Sequence, residues 1–566
     1  MPGADHRLTA ADHAGADHAG ADRRPAAEQY DYVVVGAGSA GCALAARLSE
    51  DPGVTVLLLE AGPRDTSPLV HVPAAFPRLF KSRLDWDYQT VAQPALAGRS
   101  VYWPRGKVLG GSSSTNAMMW VRGVPADFDE WAGTAGPRWA YATVAGYFAR
   151  IEDVEGASAA DPGVGRAGPI PVRKLRDPNP LTLAFLDAAL RCGMAPAAQP
   201  HVGSADGFGE TLVTQSGGRR ASAADAYLRP ARHRRNLVVR TGSHCLGVVV
   251  AEGRATGVAY RRGRAVIEVG AREEVLVAAG AVNSPQLLMC SGIGPAGTLA
   301  AAGVRPVVDS PGVGANLQDH LTAGIAISAR RPVTLRGAQS PREVLRYLVS
   351  HRGMLTSSVL EAYGLVRSDD GAAEPDLEIG FAPALFLDEG LTLPRAHGVT
   401  LAAVLLRPAS RGTVRIASPD PAAKPVVDPR YLSDPGGTDR AVLAAGVRLC
   451  TRIAATAPLA DELGPVVAPA ARDGEALVDA AISELAQTLY HPVGTCRMGI
   501  DTASVVDAEL RVRGVRALRV VDASVMPTIP RGHTHAATVM IAEQAADLVR
   551  DARGAGAQRW PAAPAR

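Results

Sequence analysis

The sequence predicts an α/β fold in two parts: a mostly parallel sheet wound around residues 31–62, and an α+β part on a largely antiparallel sheet. Three observations predict it. Residues 31–62 read as strand, glycine turn, helix and strand. Residues 274–279 and 518–521 are short apolar runs of the same buried kind. From about 321 to 418 the pattern becomes short alternating segments separated by turn residues, which suits antiparallel strands. At 566 residues the chain is too long for one simple core, so at least two domains are expected.

The first unit is the most specific. Residues 32–35 are an apolar strand, and Gly36, Gly38 and Gly41 follow in the spacing G-x-G-x-x-G. Residues 40–49 read as a helix stopped by Asp51-Pro52-Gly53, and residues 55–59 form a strand that ends on Glu60. The first glycine permits the tight turn, the second a close approach to pyrophosphate, and the third the packing of helix on strand. The helix N-terminus offers free N–H groups to phosphates. Glu60, 22 residues after Gly38, is placed to accept hydrogen bonds from an adenosine ribose. The unit predicts a Rossmann-like dinucleotide site.

Composition narrows the class. A net charge of +3 predicts neither nucleic acid nor an anionic membrane as partner. Only four of the 59 basic residues are Lys, so a single Arg carries little information. Six scattered Cys without a C-x-x-C suggest reduced thiols and no zinc site, and no metal is expected. No apolar run approaches the length of a membrane span, and no signal peptide is evident, so a cytoplasmic location is expected, with or without peripheral membrane contact. Residues 1–27, with their ADHAG repeat, are expected to be a disordered tail, and 554–566 a flexible one.

Residues 63–106 are loop-rich and hold Trp86, Tyr88, Tyr102 and Trp103, as a lid or a surface excursion would. Residues 106–123, GKVLGGSSSTNAMMWVRG, are too polar and flexible for a core element and suit backbone lying against a flat ligand. Residues 127–150 read as one helix, 156–180 as a linker and 181–191 as a helix. Residues 236–250 and 257–260 read as strands of a small sheet, and 280–294 as a turn into a short helix. Residues 323–329, 363–367, 376–381, 399–406 and 413–417 are the candidate antiparallel strands. Helices are expected over 439–456, 473–489 and 534–550.

Four blocks then agree. Beside the nucleotide unit stand residues 106–123, residues 280–294, and YHPVGTCRMG at 490–499 followed by LRVVDASVMPTIPRGHTHAATVMIAE at 518–543. Together, from about 30 to 550, they resemble the glucose–methanol–choline (GMC) oxidoreductases, an FAD-dependent family similar to choline dehydrogenases. The resemblance implies an FAD-binding domain over 28–160, 205–322 and 482–553, and a substrate domain over 161–204 and 323–481. It implies that Gly36, Gly38, Ser39, Ala40, Gly41, Glu60 and Ala61 hold the nucleotide. Val108, Gly110, Gly111, Ser112, Asn116, Ala117 and Met118 would run beside the flavin, Cys245 would meet the adenine, and Asp522 and Ala523 would cap the ribitol and pyrophosphate. The lesser reading of Asp522 is a helix or turn cap. Some relatives bind FAD covalently through a His just before this Asn; here Thr115 stands there, so non-covalent FAD is expected.

Two histidines carry the chemistry that the resemblance implies: oxidation of an alcohol, expected to be a primary one, to an aldehyde. A neutral imidazole is the natural acceptor for the hydroxyl proton near pH 7. His491 is expected to be the base and His535 its partner, with His533 pointing elsewhere. Choline dehydrogenation is an alternative, because Glu361 resembles the position that meets the trimethylammonium group in choline-oxidising relatives; a strand-end Glu bound to backbone or Arg is the other reading. A non-redox hydroxynitrile lyase is a further alternative. The electron acceptor, whether a quinone, a carrier protein or oxygen, is left open by the sequence, as is the oligomeric state.

Overall fold

The computed structural model describes residues 28–558, except 159–160, 162, 198–205, 370, 393–395 and 471. The expectation for residues 1–27 lies outside the described residues.

Two seven-stranded sheets carry the chain. The first is built on Gln29–Val35, buried along six of its seven residues. It pairs in parallel with Val56–Leu59 on one side and with Ala265–Val277 on the other. Leu237–Arg240 extends the sheet past Val56–Leu59. Ala265–Val277 is long enough to serve two partners along one edge. Its first half pairs antiparallel with Arg254–Arg262, which in turn pairs with Ser243–Ala251; its last three residues pair in parallel with Leu518–Val520. The strands expected to form a small sheet extend the nucleotide sheet. Helix Ser39–Leu48, with eight of ten residues buried, and the final helix Thr534–Gln558 pack on this sheet.

The second sheet is antiparallel. Its order is Leu463–Ala468, Leu321–Ala329, Gly398–Leu405, Leu377–Ala382, Ala362–Val366 and Gly207–Glu210, with Gln487–Thr488 also pairing to Leu321–Ala329. Four of the five strands expected here are present. The fifth, Thr413–Arg415, pairs instead with Val426–Asp428 in a separate hairpin. Gly207–Glu210 lies in the stretch allotted to the nucleotide domain, yet its hydrogen bonds go to the second sheet. Helix Thr438–Ala454 packs on this sheet through Leu443, Val447, Cys450 and Ile453.

Other departures have local causes. The expected single helix over 127–150 is two helices, Pro125–Ala135 and Tyr141–Ile151, because Gly136 takes φ +102° and Pro137 follows it. The expected linker contains a strand, Ile170–Val172, paired to Glu152–Val154. The last helix continues to Gln558, so the tail expected from 554 is helical at its start. Residues 63–106 are no surface excursion: Tyr88, Tyr102 and Trp103 are buried, and Tyr88–Gln89 pairs with Tyr102–Trp103. Among the described residues no helix is long and apolar enough to cross a membrane.

Candidate active site

One cavity of about 670 Å³ runs from the glycine turn of the first sheet to the face of the second. At the first end the turn after Gln29–Val35 is made by Gly36 at φ +100°, where a Cβ would fall 2.5 Å from Ala278 O. Gly41 sits under the same turn, and a Cβ there would lie 1.8 Å from Gly36 O. These are the roles that the spacing assigns to the first and third glycines. Glu60 closes the strand end: its carboxylate accepts from Ala37 N at 3.0 Å and from Gly62 N at 2.8 Å. Each oxygen keeps a lone pair for a further donor. Burial pushes the Glu60 carboxyl up to about 7, against the pull of those two N–H groups and Lys107.

The block over 106–123 lies directly on this turn. Gly110 N donates to Ala37 O at 2.7 Å, and a Cβ on Gly111 would stand 2.7 Å from Gly38 Cα. Two chain segments thus meet through glycines that leave a concave backbone surface. Gly36, Gly38, Ser39, Ala40, Glu60, Ala61, Gly111, Ser112, Asn116, Ala117, Met118, Cys245, Asp522 and Ala523 all line the cavity. Gly41, Val108 and Gly110 do not; they shape its wall from behind. Asp522 is a cap: Oδ2 accepts from Gly280 N and Ser284 Oγ, and Oδ1 from Ser524 N. It lines the cavity as well, so both readings of it apply. Asn116 Oδ1 accepts from Arg220 Nη1 at 2.6 Å. Burial lowers the Arg220 pKa to about 9, against the pull of Asp225, and its Nη2 has no partner among the described residues.

At the other end three histidines gather. His491 and His533 stand edge to face with ring centroids 4.8 Å apart, and both line the cavity. His533 Nε2 is 3.1 Å from Glu378 Oε2, a carboxylate wholly buried in the strand Leu377–Ala382. His320 Nδ1 is 3.0 Å from His491 Nδ1. The expected pair, His491 and His535, does not stand ring to ring. His535 is the second residue of the last helix and also lines the cavity, with Nδ1 2.9 Å from Ser39 Oγ and its ring edge-on to Trp120. It therefore borders the glycine turn, while His533, expected to point away, is the neighbour of His491. Burial is the first cause that holds His491 and His535 neutral. It takes His491 well below the ordinary 6.5, helped by His533, His320 and Arg105, and His535 to about 4, helped by Arg220.

The second sheet faces the cavity with small side chains, Thr322, Gly324, Ala326, Thr400 and Ala402, which leave room for a ligand. Phe76, Phe80, Tyr102, Phe386 and Tyr490 form an aromatic wall beside it. Glu361 is not on the cavity surface. Its carboxylate accepts from Asn179 N, Thr182 Oγ1 and Ser357 Oγ, which ties it to the start of helix Pro180–Arg191. Of the residues missed from sequence, Glu378 had a signal, since one carboxylate stands in the otherwise apolar strand LEIGFA. His320 and Arg220 had none; the abundance of Arg hid the latter.

A glycine cradle, a strand-end carboxylate and a cavity long enough to join two sheets are the features of a dinucleotide-binding protein. Comparison with known proteins makes the class specific. The GMC oxidoreductase family models match residues 30–322 and 408–542. An uncharacterized GMC-type oxidoreductase of Mycobacterium tuberculosis is 54% identical over 528 residues, 92% of this chain and 99% of that one. The alcohol dehydrogenase [acceptor] of Pseudomonas putida is 40% identical, over 92% of this chain and 95% of its own. Among solved structures, pyridoxine 4-oxidase from Mesorbium loti superposes with a TM-score of 0.84 at 36% identity, covering 92% of this chain and 99% of that one. The chain belongs to the GMC oxidoreductase family and is an FAD-dependent enzyme. The residues present fit that cofactor: the Gly38–Gly111 approach leaves a backbone cradle that any Cβ would fill, and Arg220 Nη2 is left without a partner.

Proposed function

We propose that the enzyme oxidises a primary alcohol to an aldehyde, with His491 as the base. The observation that carries the reading is the His491–His533 pair, 4.8 Å apart on the wall of the cavity that also holds Asn116–Met118. FAD, when bound, supplies the acceptor for the hydride that leaves the carbinol carbon. The chain's own residues manage the proton. A buried neutral imidazole at His491 takes the hydroxyl proton, and its depressed pKa keeps the lone pair available across neutral pH. His533, held through Nε2 by Glu378, stands edge to face with His491 and bounds the place that the alcohol oxygen takes. The small side chains of the second sheet and the aromatic wall fix the rest of the alcohol. Gly36, Gly38, Ser39, Ala40, Glu60 and Ala61 would hold the adenosine and pyrophosphate, and Gly111, Ser112 and Asn116–Met118 the flavin. His535 belongs to the cofactor end, through Ser39.

The alcohol dehydrogenase and choline dehydrogenase names among the relatives support an alcohol as substrate. The contact that Glu361 would make with choline finds no support here, since its carboxylate is committed to a helix start and lies off the cavity surface. The test is an anaerobic panel of primary alcohols followed by flavin absorbance. Bleaching by members of the panel supports the reading. A flavin that none of them bleaches, in protein that still reduces with dithionite, rejects it.

A further inference from the structure

The Asp319–His320 pair grips His491 twice. Asp319 Oδ1 accepts the backbone N–H of His491 at 2.8 Å, and its Oδ2 is engaged by Tyr431 Oη, which also accepts from Trp103 Nε1 at 3.1 Å. The next residue reaches the ring. His320 Nδ1 lies 3.0 Å from His491 Nδ1, and His320 Nε2 lies 3.1 Å from the carbonyl oxygen of Leu406. His320 is completely buried.

Those two contacts decide the protons. A carbonyl oxygen only accepts, so His320 Nε2 carries N–H and donates to Leu406 O. A neutral imidazole has one N–H, so His320 Nδ1 is then a lone pair. Between two facing Nδ1 atoms one must donate, and only His491 can. Burial, with His533 adding to it, takes the His320 pKa down to about 3, which removes the doubly protonated form from consideration. His491 therefore bears its proton on Nδ1, and its Nε2, to which no described residue hydrogen-bonds, is the lone pair.

We propose that His320 is a positioning residue that locks His491 in the Nδ1–H tautomer, leaving Nε2 as the acceptor for the substrate hydroxyl proton. The proposal rests on the reading of His491 as base. After transfer, the imidazolium keeps its Nδ1–H bond to His320, so the ring need not move between the two proton states. The other ionisable groups around the His491 ring are His533, backed by Glu378, and Arg105, whose Nη2 donates to Tyr490 O at 2.6 Å. None of these is hydrogen-bonded to His491 Nδ1, so the choice of tautomer falls to His320.

The experiment has two arms. In the first, the holoenzyme is labelled with ¹⁵N-histidine, and the His491 signals are identified by their loss in His491→Gln. The expected result is a protonated Nδ1 and an unprotonated Nε2 at pH 7; the reverse assignment overturns the proposal whatever the activity shows. In the second, His320→Asn and His320→Leu are compared by anaerobic flavin reduction. Asn can accept from His491 through Oδ1, near the place of the His320 Nδ1; Leu fills similar space and cannot. Reduction should slow by roughly 10–100-fold in His320→Leu, the usual cost of losing such an outer partner, while His320→Asn stays near wild type and substrate affinity holds in both. Equal losses in Asn and Leu, or wild-type rates in Leu, overturn it. If wild-type rates appear instead in His491→Ala, the base assignment has failed, and the ¹⁵N arm still judges the tautomer lock.

Discussion

At His491, burial and three cationic or ionisable neighbours push the ring in one direction, towards the neutral form. At Glu361 the same burial holds a carboxylate among three donors. Glu361→Gln turns an amide NH₂ or a weaker acceptor towards them, and should cost about 1–3 kcal/mol of stability. Alcohol-driven flavin reduction in the folded variant should stay near wild type. A large rise in the alcohol concentration needed for half-maximal reduction, with unchanged melting, would return Glu361 to the substrate. Thr115 makes a second residue-level prediction. Its hydroxyl lines the cavity beside Asn116 and cannot form a histidyl link, so acid precipitation should release all the flavin into the supernatant. Yellow protein in the pellet would contradict this. At this scale the sequence spoke unevenly. The places of His491, Glu60 and Asp522 on the cavity wall were legible because each closes a motif. The choice between His533 and His535 was not: they are two residues apart, and where the last helix begins decides which ring faces His491. That boundary is set by tertiary packing, with the helix starting at Thr534.

Among the elements, the glycine turn and the 106–123 block are one device. Gly111 takes φ +55°, and its missing side chain is what lets Gly38 approach. Gly111→Ala should strain the backbone and push the two segments apart by an amount worth about 1–3 kcal/mol, weakening FAD binding by roughly tenfold or more. Gly133→Ala is the control. It lies in helix Pro125–Ala135 with nothing near the built Cβ, and should raise stability by about 0.5–1 kcal/mol with FAD affinity unchanged. Titration of apoprotein with FAD separates the two, and equal affinities in both variants would contradict the cradle. Elements with a strong pattern were legible: the first strand, its helix and four antiparallel strands. Gly207–Glu210 was not, because a short glycine-rich segment has no alternation to read and is made a strand by its pairing to Ala362–Val366.

Over the whole molecule the buried histidines link stability to pH. His320, His491 and His535 have folded pKa values of about 3, well below 6.5, and about 4. The unfolded chain binds their protons near 6.5 and the folded chain does not. Their contribution is therefore complete above 6.5 and is lost as pH falls towards 4, at about 1.4 kcal/mol per pH unit for each proton. Glu60 and Glu389, both raised to about 7, act the other way: the folded chain holds protons there that the unfolded chain releases, so stability is gained as pH falls to about 4.5. His244, lowered to about 4, joins the histidines, and Asp127, Asp319 and Glu361, raised by burial, join the carboxyls, so the two sets offset one another down to about 4.5. Below it the carboxyl gain is complete while the histidine loss continues, and Glu28, Asp31, Glu50 and Asp177, lowered through hydrogen bonds from Arg, lose their contribution too. Thermal unfolding at pH 5, 4 and 3 should show a steep fall. A protein as stable at pH 3 as at pH 5 would contradict it. The two-sheet plan was legible at this scale, but which strand joins which sheet was not, since Ala265–Val277 serves both a hairpin and a parallel partner along one edge.

The central claim, that His491 and His533 form the alcohol-oxidising pair, is tested most directly by rapid-mixing measurement of anaerobic flavin reduction across pH. The measurement compares wild type with His491→Ala, His533→Ala and His535→Ala, using whichever alcohol reduces the wild type. Wild-type reduction should be flat through neutrality and fall only well below pH 6.5, because His491 must be protonated before the rate is lost. His491→Ala should keep FAD, reduce roughly 10²–10⁴-fold more slowly and lose that acid limb. His533→Ala should slow reduction more than His535→Ala, whose effect should fall on FAD affinity through Ser39. Wild-type reduction rates in His491→Ala, or a slow His535→Ala beside an unimpaired His533→Ala, would contradict the account.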